Sequence, residues 1–181
     1  MTIHTRRSRG LGNAGVDDTV ATAQITDVAA LPLAPKNPQE LGERAVVLGA
    51  SMGGLLAARV LADFFESVMV VERDVLLDDP ANRRGVPQGR HAHLVLPRGA
   101  QILDELFPGI LNGLVVDGAP VWDDGELAKL HVTFGGHEML RSGKAAVDHK
   151  AMAMYVPSRP LLECHVRRRL HAIENVTIQG R

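Results

Sequence analysis

The chain has 181 residues, a length that suits one domain, or one domain with an unstructured arm. With 45% hydrophobic residues and a formal net charge of -1, it has material for a core and no basic excess of the kind nucleic acid demands. Aromatics are only 3%, which argues against a base-stacking surface, and the single Cys164 excludes an internal disulfide framework and suits a reducing, cytoplasmic setting.

No apolar stretch approaches the roughly 18–20 residues that a transmembrane helix needs. Arg6-Arg7 is followed by a polar stretch, Gly10 to Asp18, with no apolar segment, so no targeting signal is read there. Residues 1–42 read as a disordered N-terminal arm, charged at first, then rich in Gly, Ala and Thr, then broken by Pro32, Pro35 and Pro38. Residues 43–181 read as the folded domain.

Order is expected near Arg44, where Ala45-Val46-Val47-Leu48 reads as a strand buried on both faces. A glycine-rich turn follows, Gly49-Ala50-Ser51-Met52-Gly53-Gly54, and then a helix with apolar rows Leu56, Val60, Phe64 and Ala57, Leu61, Phe65. Val68 to Val71 reads as a second buried strand, parallel to the first because a helix connects them. Glu72 closes that strand, 18 residues past Gly54. Strand, glycine turn, helix, strand and terminal acid together describe a dinucleotide-binding unit. The helix N-terminus faces a pyrophosphate and the acid accepts hydrogen bonds from an adenosine ribose. Ser51 replaces the second glycine of G-x-G-x-x-G, and its hydroxyl is able to donate to a phosphate oxygen.

Asp78 to Gly89 is a long polar loop, of a kind that is more often functional than ornamental beside a cofactor site. His93 to Leu96 reads as a short strand and Gly99 to Phe107 as a helix. Leu130 to Phe134 and Glu138 to Arg141 read as a hairpin around Gly135-Gly136, and Met152 to Val156 as another strand. Pro160 opens a helix with the stripe Leu162, Val166, Leu170, Ile173, and Val176 to Ile178 begins a further strand.

Other motifs have plainer readings. Gly49 to Gly53 also spells G-x-S-x-G, the nucleophile elbow of a serine hydrolase using Ser51. Spacing favours none of His131, His137 and His149 as its base, and the elbow leaves Glu72 unexplained. His91 and His93 would share one side of a strand, but no third metal ligand has suitable spacing, so polar lining is the better reading. Arg167-Arg168-Arg169 reads as a solvated helix face, with Glu163 and Arg167 forming a pair four residues apart. Cys164 reads as a packed, inert thiol.

Arg44 to Asp74, with its VVLGASMGG and VVERD, resembles the first FAD-binding motif of flavin-dependent monooxygenases of the p-hydroxybenzoate hydroxylase and squalene epoxidase types. Tyr155 to Glu163, YVPSRPLLE, is similar to the Ser/Thr-Arg-x-x-Leu segment that opens a helix over the flavin in that family. Arg83 to His93, RRGVPQGRHAH, resembles the loop that actinobacterial-type members place beside the cofactor.

The resemblance implies an α/β, Rossmann-like FAD/NAD(P)-binding fold with a parallel sheet, incomplete at the C-terminus. By position it implies that Gly49, Ser51 and Gly54 contact the pyrophosphate, with Gly53 in the same cofactor-binding turn. Glu72 would bind the adenosine ribose and Arg73 would flank the adenine. Arg83 or Arg84 would pair with a phosphate, and Arg159 would approach the ribityl chain or flavin edge. FAD is the implied cofactor, NAD(P)H the electron donor and a small organic molecule the substrate, with no catalytic residue assigned. The family's later Asp-Gly and Gly-Asp segments have no counterpart here. A truncated form is therefore expected, either catalytically silent as a remnant or interaction module, or completed by a second chain.

Overall fold

The computed structural model describes residues 41–91, 93–145, 148 and 150–181. The expected arm lies outside them up to residue 40, as does His149. The first strand, β1, is Gly42–Leu48, so it already includes the last residue assigned to the arm. It leads through the glycine turn into helix α1, Met52–Leu61, and then strand β2, Phe65–Val71. The strands pair in parallel, with Ala45 beside Val68 and Val47 beside Val70. Far along the chain, helix α4, Arg159–His171, returns to strand β7, Val176–Gln179, which pairs in parallel with β2. The sheet order is β1-β2-β7.

Between β2 and α4 run helices α2, Pro97–Leu106, and α3, Ile110–Val116, followed by short strands. Strand β3, Val121–Trp122, pairs antiparallel with β6, Met154–Tyr155; β4, Thr133–Phe134, pairs antiparallel with β5, His137–Glu138. The β4–β5 hairpin turns at Gly135 and Gly136, both at positive φ, as the sequence predicts, but it is shorter than expected. His93 to Leu96 forms no strand, only a bridge from Val95 to Tyr155.

The core lies on one face of the main sheet. Leu55 and Ala58 of α1, Val68 and Val70 of β2, and Leu162, Val166 and Leu170 of α4 meet there with Leu103, Leu106, Ile110 and Leu114 of α2 and α3. Helix α4 packs against both α1 and α3. Burial of this apolar surface, at roughly 25 cal/mol per Å², is the main favourable term in forming the unit.

Two sequence expectations are corrected here. β1 is not buried on both faces: Val46 is 55% and Leu48 83% exposed. Alternate residues of a strand point to opposite faces, and among the described residues only the Ala45–Val47 side is covered by helices. The buried stripe of α1 is also displaced by one residue. Leu55 and Ala58 are fully buried, Leu56 and Val60 partly, and Ala57 is exposed. Helix α1 ends at Leu61, so Phe64 lies beyond it and Phe65 opens β2.

Candidate functional site

The site begins where β1 stops. Gly49 has φ +99, a backbone conformation that suits a residue without Cβ, and its N–H donates to the Val71 carbonyl at 2.8 Å, tying the turn to the end of β2. At Gly54 the reason for glycine is contact. A Cβ there would lie 1.9 Å from the Gly49 carbonyl oxygen, so only glycine lets α1 rise this close to the turn. Gly53 is exposed, and a Cβ there would meet nothing within 4 Å. Ser51 is the N-cap residue of α1, yet its hydroxyl caps no helix N–H. The first N–H groups of α1 have no partner within the helix and open toward the C-terminal ends of the strands.

Glu72, directly after β2, faces that turn. Its Oε2 accepts from the Ala50 N–H at 2.7 Å and from Arg83 Nη1 at 3.2 Å. Its Oε1 accepts from the Arg73 and Asp74 N–H groups at 2.8 and 3.0 Å. Burial alone would raise the Glu72 carboxyl, but the backbone N–H groups of Ala50 and Asp74, with Arg83 and Arg73, hold it below its ordinary 4.5. The ionised acid is thus built into the turn.

Arg83 reaches in from the long loop. Its Nη2 donates to the Ala50 carbonyl at 2.8 Å and to Glu163 Oε2 at 2.9 Å. Burial would lower its pKa, but Glu163 and Glu72 outweigh this and favour the ionised guanidinium. Arg159, the first residue of α4, donates from Nε to Glu163 Oε1 at 2.8 Å and from Nη2 to Ser51 Oγ at 3.1 Å; Ser51 in turn donates to Glu163 at 3.3 Å. Four predicted residues, Ser51, Glu72, Arg83 and Arg159, therefore meet in one network. Arg73 and Arg84 stand apart from it, both exposed. Arg73 lines a cavity of 530 Å³ with Leu48, Gly49, Val71, Glu72 and Gly180. Arg84 lines a second cavity, of 510 Å³, beside Arg83 and Arg90.

Glu163 is the member that the sequence reading missed. It was expected to pair with Arg167 on a solvated face, but it is 3% exposed and bonds to Arg83 and Arg159 instead. Its signal was positional: Glu163, Val166 and Leu170 recur at helical spacing on a buried face. The arginine run is corrected with it. Arg167 is buried and donates to the Leu77 carbonyl, Arg168 donates to Asp78 O at 2.9 Å, and Arg169 donates to His165 Nδ1 at 3.1 Å. Only Arg168 of the three is exposed. Cys164 is buried as expected, with its thiol on Asp78 O. The side chains of α4 thus hold the start of the long loop.

For a serine nucleophile the geometry offers different neighbours. The side chains bonded to Ser51 Oγ are Arg159 and Glu163, while His131 pairs with Glu138 in the β4–β5 hairpin. His93 Nδ1 lies 2.8 Å from the His91 carbonyl. No helix among the described residues is long and apolar enough to cross a membrane.

No family model matches the chain. Over 145 residues it is 45% identical to Protein Rv3254 of Mycobacterium tuberculosis (strain ATCC 25618 / H37Rv), a match covering 80% of this chain and 29% of that protein. Among solved structures it is similar to PqsL, a probable FAD-dependent monooxygenase from Pseudomonas aeruginosa, with a TM-score of 0.51 and 19% identity over 77% of this chain and 33% of that one. PqsL in complex with 2-aminobenzoylacetate gives a TM-score of 0.52 at the same identity and coverage. The chain thus spans about a third of the proteins it matches. The likeness to the solved structures is one of fold: an α/β, Rossmann-like unit with a parallel sheet, corresponding to about a third of the PqsL chain.

Proposed function

We propose that this chain is the FAD-binding part of a flavin-dependent monooxygenase of the hydroxylase or epoxidase type. One observation carries the reading. The Glu72 carboxylate is bonded to the backbone of a glycine turn, and both border an open cavity at the C-terminal ends of parallel strands, where ligands of such sheets bind. The donor set suits a dinucleotide: unpaired N–H groups at the start of α1, an exposed Gly53, an acid at the ribose position and arginines nearby. The fit carries one condition. All four acceptor positions of Glu72 are filled by its own chain, so a ribose hydroxyl takes the place of the longest of these contacts, that from Arg83.

In this reading Gly49, Ser51, Gly53 and Gly54 hold the pyrophosphate and Glu72 the ribose. Arg73, with Leu48 and Val71, borders the adenine, Arg83 or Arg84 pairs with a phosphate, and Arg159 lies toward the ribityl chain. When bound, the flavin supplies electron transfer from NAD(P)H to oxygen for hydroxylation or epoxidation of a small organic substrate. This chain's own residues bind and orient it; completion of the fold by a second chain belongs to the same proposal.

The test compares Glu72→Ala with Glu66→Ala, since Glu66 is exposed on β2 and away from the turn. Titration with FAD, followed by flavin fluorescence, should show about tenfold or greater weakening for Glu72→Ala, a loss of about 1.4 kcal/mol, and little change for Glu66→Ala. Equal effects of the two substitutions overturn the ribose assignment.

A further inference from the structure

We infer that Glu163 is a positioning residue of this site: its buried carboxylate holds the Arg83 and Arg159 guanidiniums against the glycine turn, Arg83 on the diphosphate of an adenine dinucleotide and Arg159 where that diphosphate meets the ribityl chain. The inference rests on the FAD-binding reading above and assigns a role to a residue outside the dinucleotide motif.

Neither arginine has a local reason to stand where it does. Arg83 lies on a loop without strand or helix, and Arg159 is the first residue of α4, where the positive end of the helix dipole disfavours a cation. Glu163 answers both. Its two oxygens take Arg159 Nε at 2.8 Å and Arg83 Nη2 at 2.9 Å, each a charge-assisted bond made out of water. The segments it joins are far apart in sequence, so their guanidiniums share a wall only because one carboxylate stands between them. Each guanidinium keeps further N–H groups for a ligand. Arg83 touches the Ala50 carbonyl and Arg159 the Ser51 hydroxyl, which places both at the start of α1.

A carboxylate beside an anion site carries an electrostatic objection. Judged by charge alone, neutralising Glu163 should tighten diphosphate binding. Asp79 and Arg167 both border the same small void as Arg83 and Glu163, so the guanidiniums of Arg83, Arg159 and Arg167 are matched by the carboxylates of Glu72, Glu163 and Asp79 and the objection keeps its weight. Positioning and charge therefore predict opposite signs for one substitution.

The experiment titrates the full chain with ADP and with adenosine, which share the ribose and base but differ in the diphosphate, and repeats both with Glu163→Gln. The wild type should prefer ADP. Glu163→Gln should lose about tenfold or more of its ADP affinity, as expected for two misplaced charge-assisted donors, with adenosine binding nearly unchanged. Unchanged or tighter ADP binding overturns the inference, and so does an equal loss for both ligands, which marks a merely structural role. If Glu163→Gln does not unfold cooperatively, Glu163→Asp decides by the same two titrations. Its shorter carboxylate cannot span both arginines, so a full ADP preference overturns the inference. A wild-type chain that binds neither FAD nor ADP removes the FAD reading and this inference with it. One that binds both, beside a variant with its preference intact, removes the inference alone.

Discussion

Gly53 and Gly54 are adjacent in one turn of helix, yet their surroundings assign them opposite duties. At Gly54 an added methyl meets backbone at 1.9 Å, and backbone yields only by moving α1 off the end of β1. Gly54→Ala should therefore destabilise the fold by roughly 1–3 kcal/mol or more, read as a lower denaturant midpoint. At Gly53 the methyl meets open space, and alanine is the better helix former. Gly53→Ala should raise stability by roughly 0.5–1 kcal/mol while weakening FAD binding, because the methyl occupies the approach of the pyrophosphate. A Gly53→Ala protein that loses stability would mean that this face is not open.

Glu72 sets a pH dependence at the same scale. Its folded pKa is depressed, so the stability that it contributes is complete above its unfolded value near 4.5 and is lost as pH falls through the lower folded value. The gap in melting temperature between wild type and Glu72→Gln should be wide at neutral pH and should close on acidification below that value. A constant gap would show that the ionised carboxylate is not the stabilising species.

Among the elements, those with local signals were legible. The glycine turn, α1, β2, α4 and β7 follow from apolar runs, helical spacing and the punctuation of Gly49 and Pro160, and they form the main sheet and its covering helices. Helix α3 was not legible because its seven residues include Gly113, and its helical state depends on packing against α4, where a Cβ at Gly113 would crowd Arg169 and His165. The β3–β6 pair has two residues per strand and exists only through tertiary contact. The burial of Arg167 belongs to the same class. Nothing in a run of three arginines reveals that the carbonyls of Leu77 and Asp78 will lie across their helix. At the site, the motif residues Ser51, Glu72, Arg83 and Arg159 are readable in the sequence, whereas Glu163, which bonds to Ser51, Arg83 and Arg159, reads there as a surface partner of Arg167. Capping gives this scale its own prediction. The Ser158 hydroxyl accepts from the Leu161 N–H at 3.3 Å and begins α4, so Ser158→Ala should cost about 1 kcal/mol in equilibrium unfolding. No change in midpoint would mean that Arg159 and Glu163 fix this end of the helix without the cap.

Viewed as one body, the described unit has an asymmetric sheet. Helices cover the side of Ala45, Val47, Val68 and Val70, while the register places Val46 beside Met69 and Leu48 beside Val71 on the other side. Val46, Leu48 and Val71 are exposed there, and among the described residues β1 is an edge strand. An apolar surface next to a free strand edge favours association, both by burial of side chains and by pairing of backbone groups. Leu48 and Val71 also border the cavity assigned to the cofactor, so substitutions there would mix association with binding. Val46 does not line that cavity and gives the cleaner test. Val46→Thr keeps the β-branched shape that suits a strand while making the surface polar. Sedimentation across a concentration series should show less self-association for Val46→Thr than for wild type, with FAD affinity unchanged. If both proteins associate equally, the open face is not the surface through which copies of this chain meet. If FAD affinity falls as well, the cofactor cleft extends farther down the sheet than its lining residues indicate.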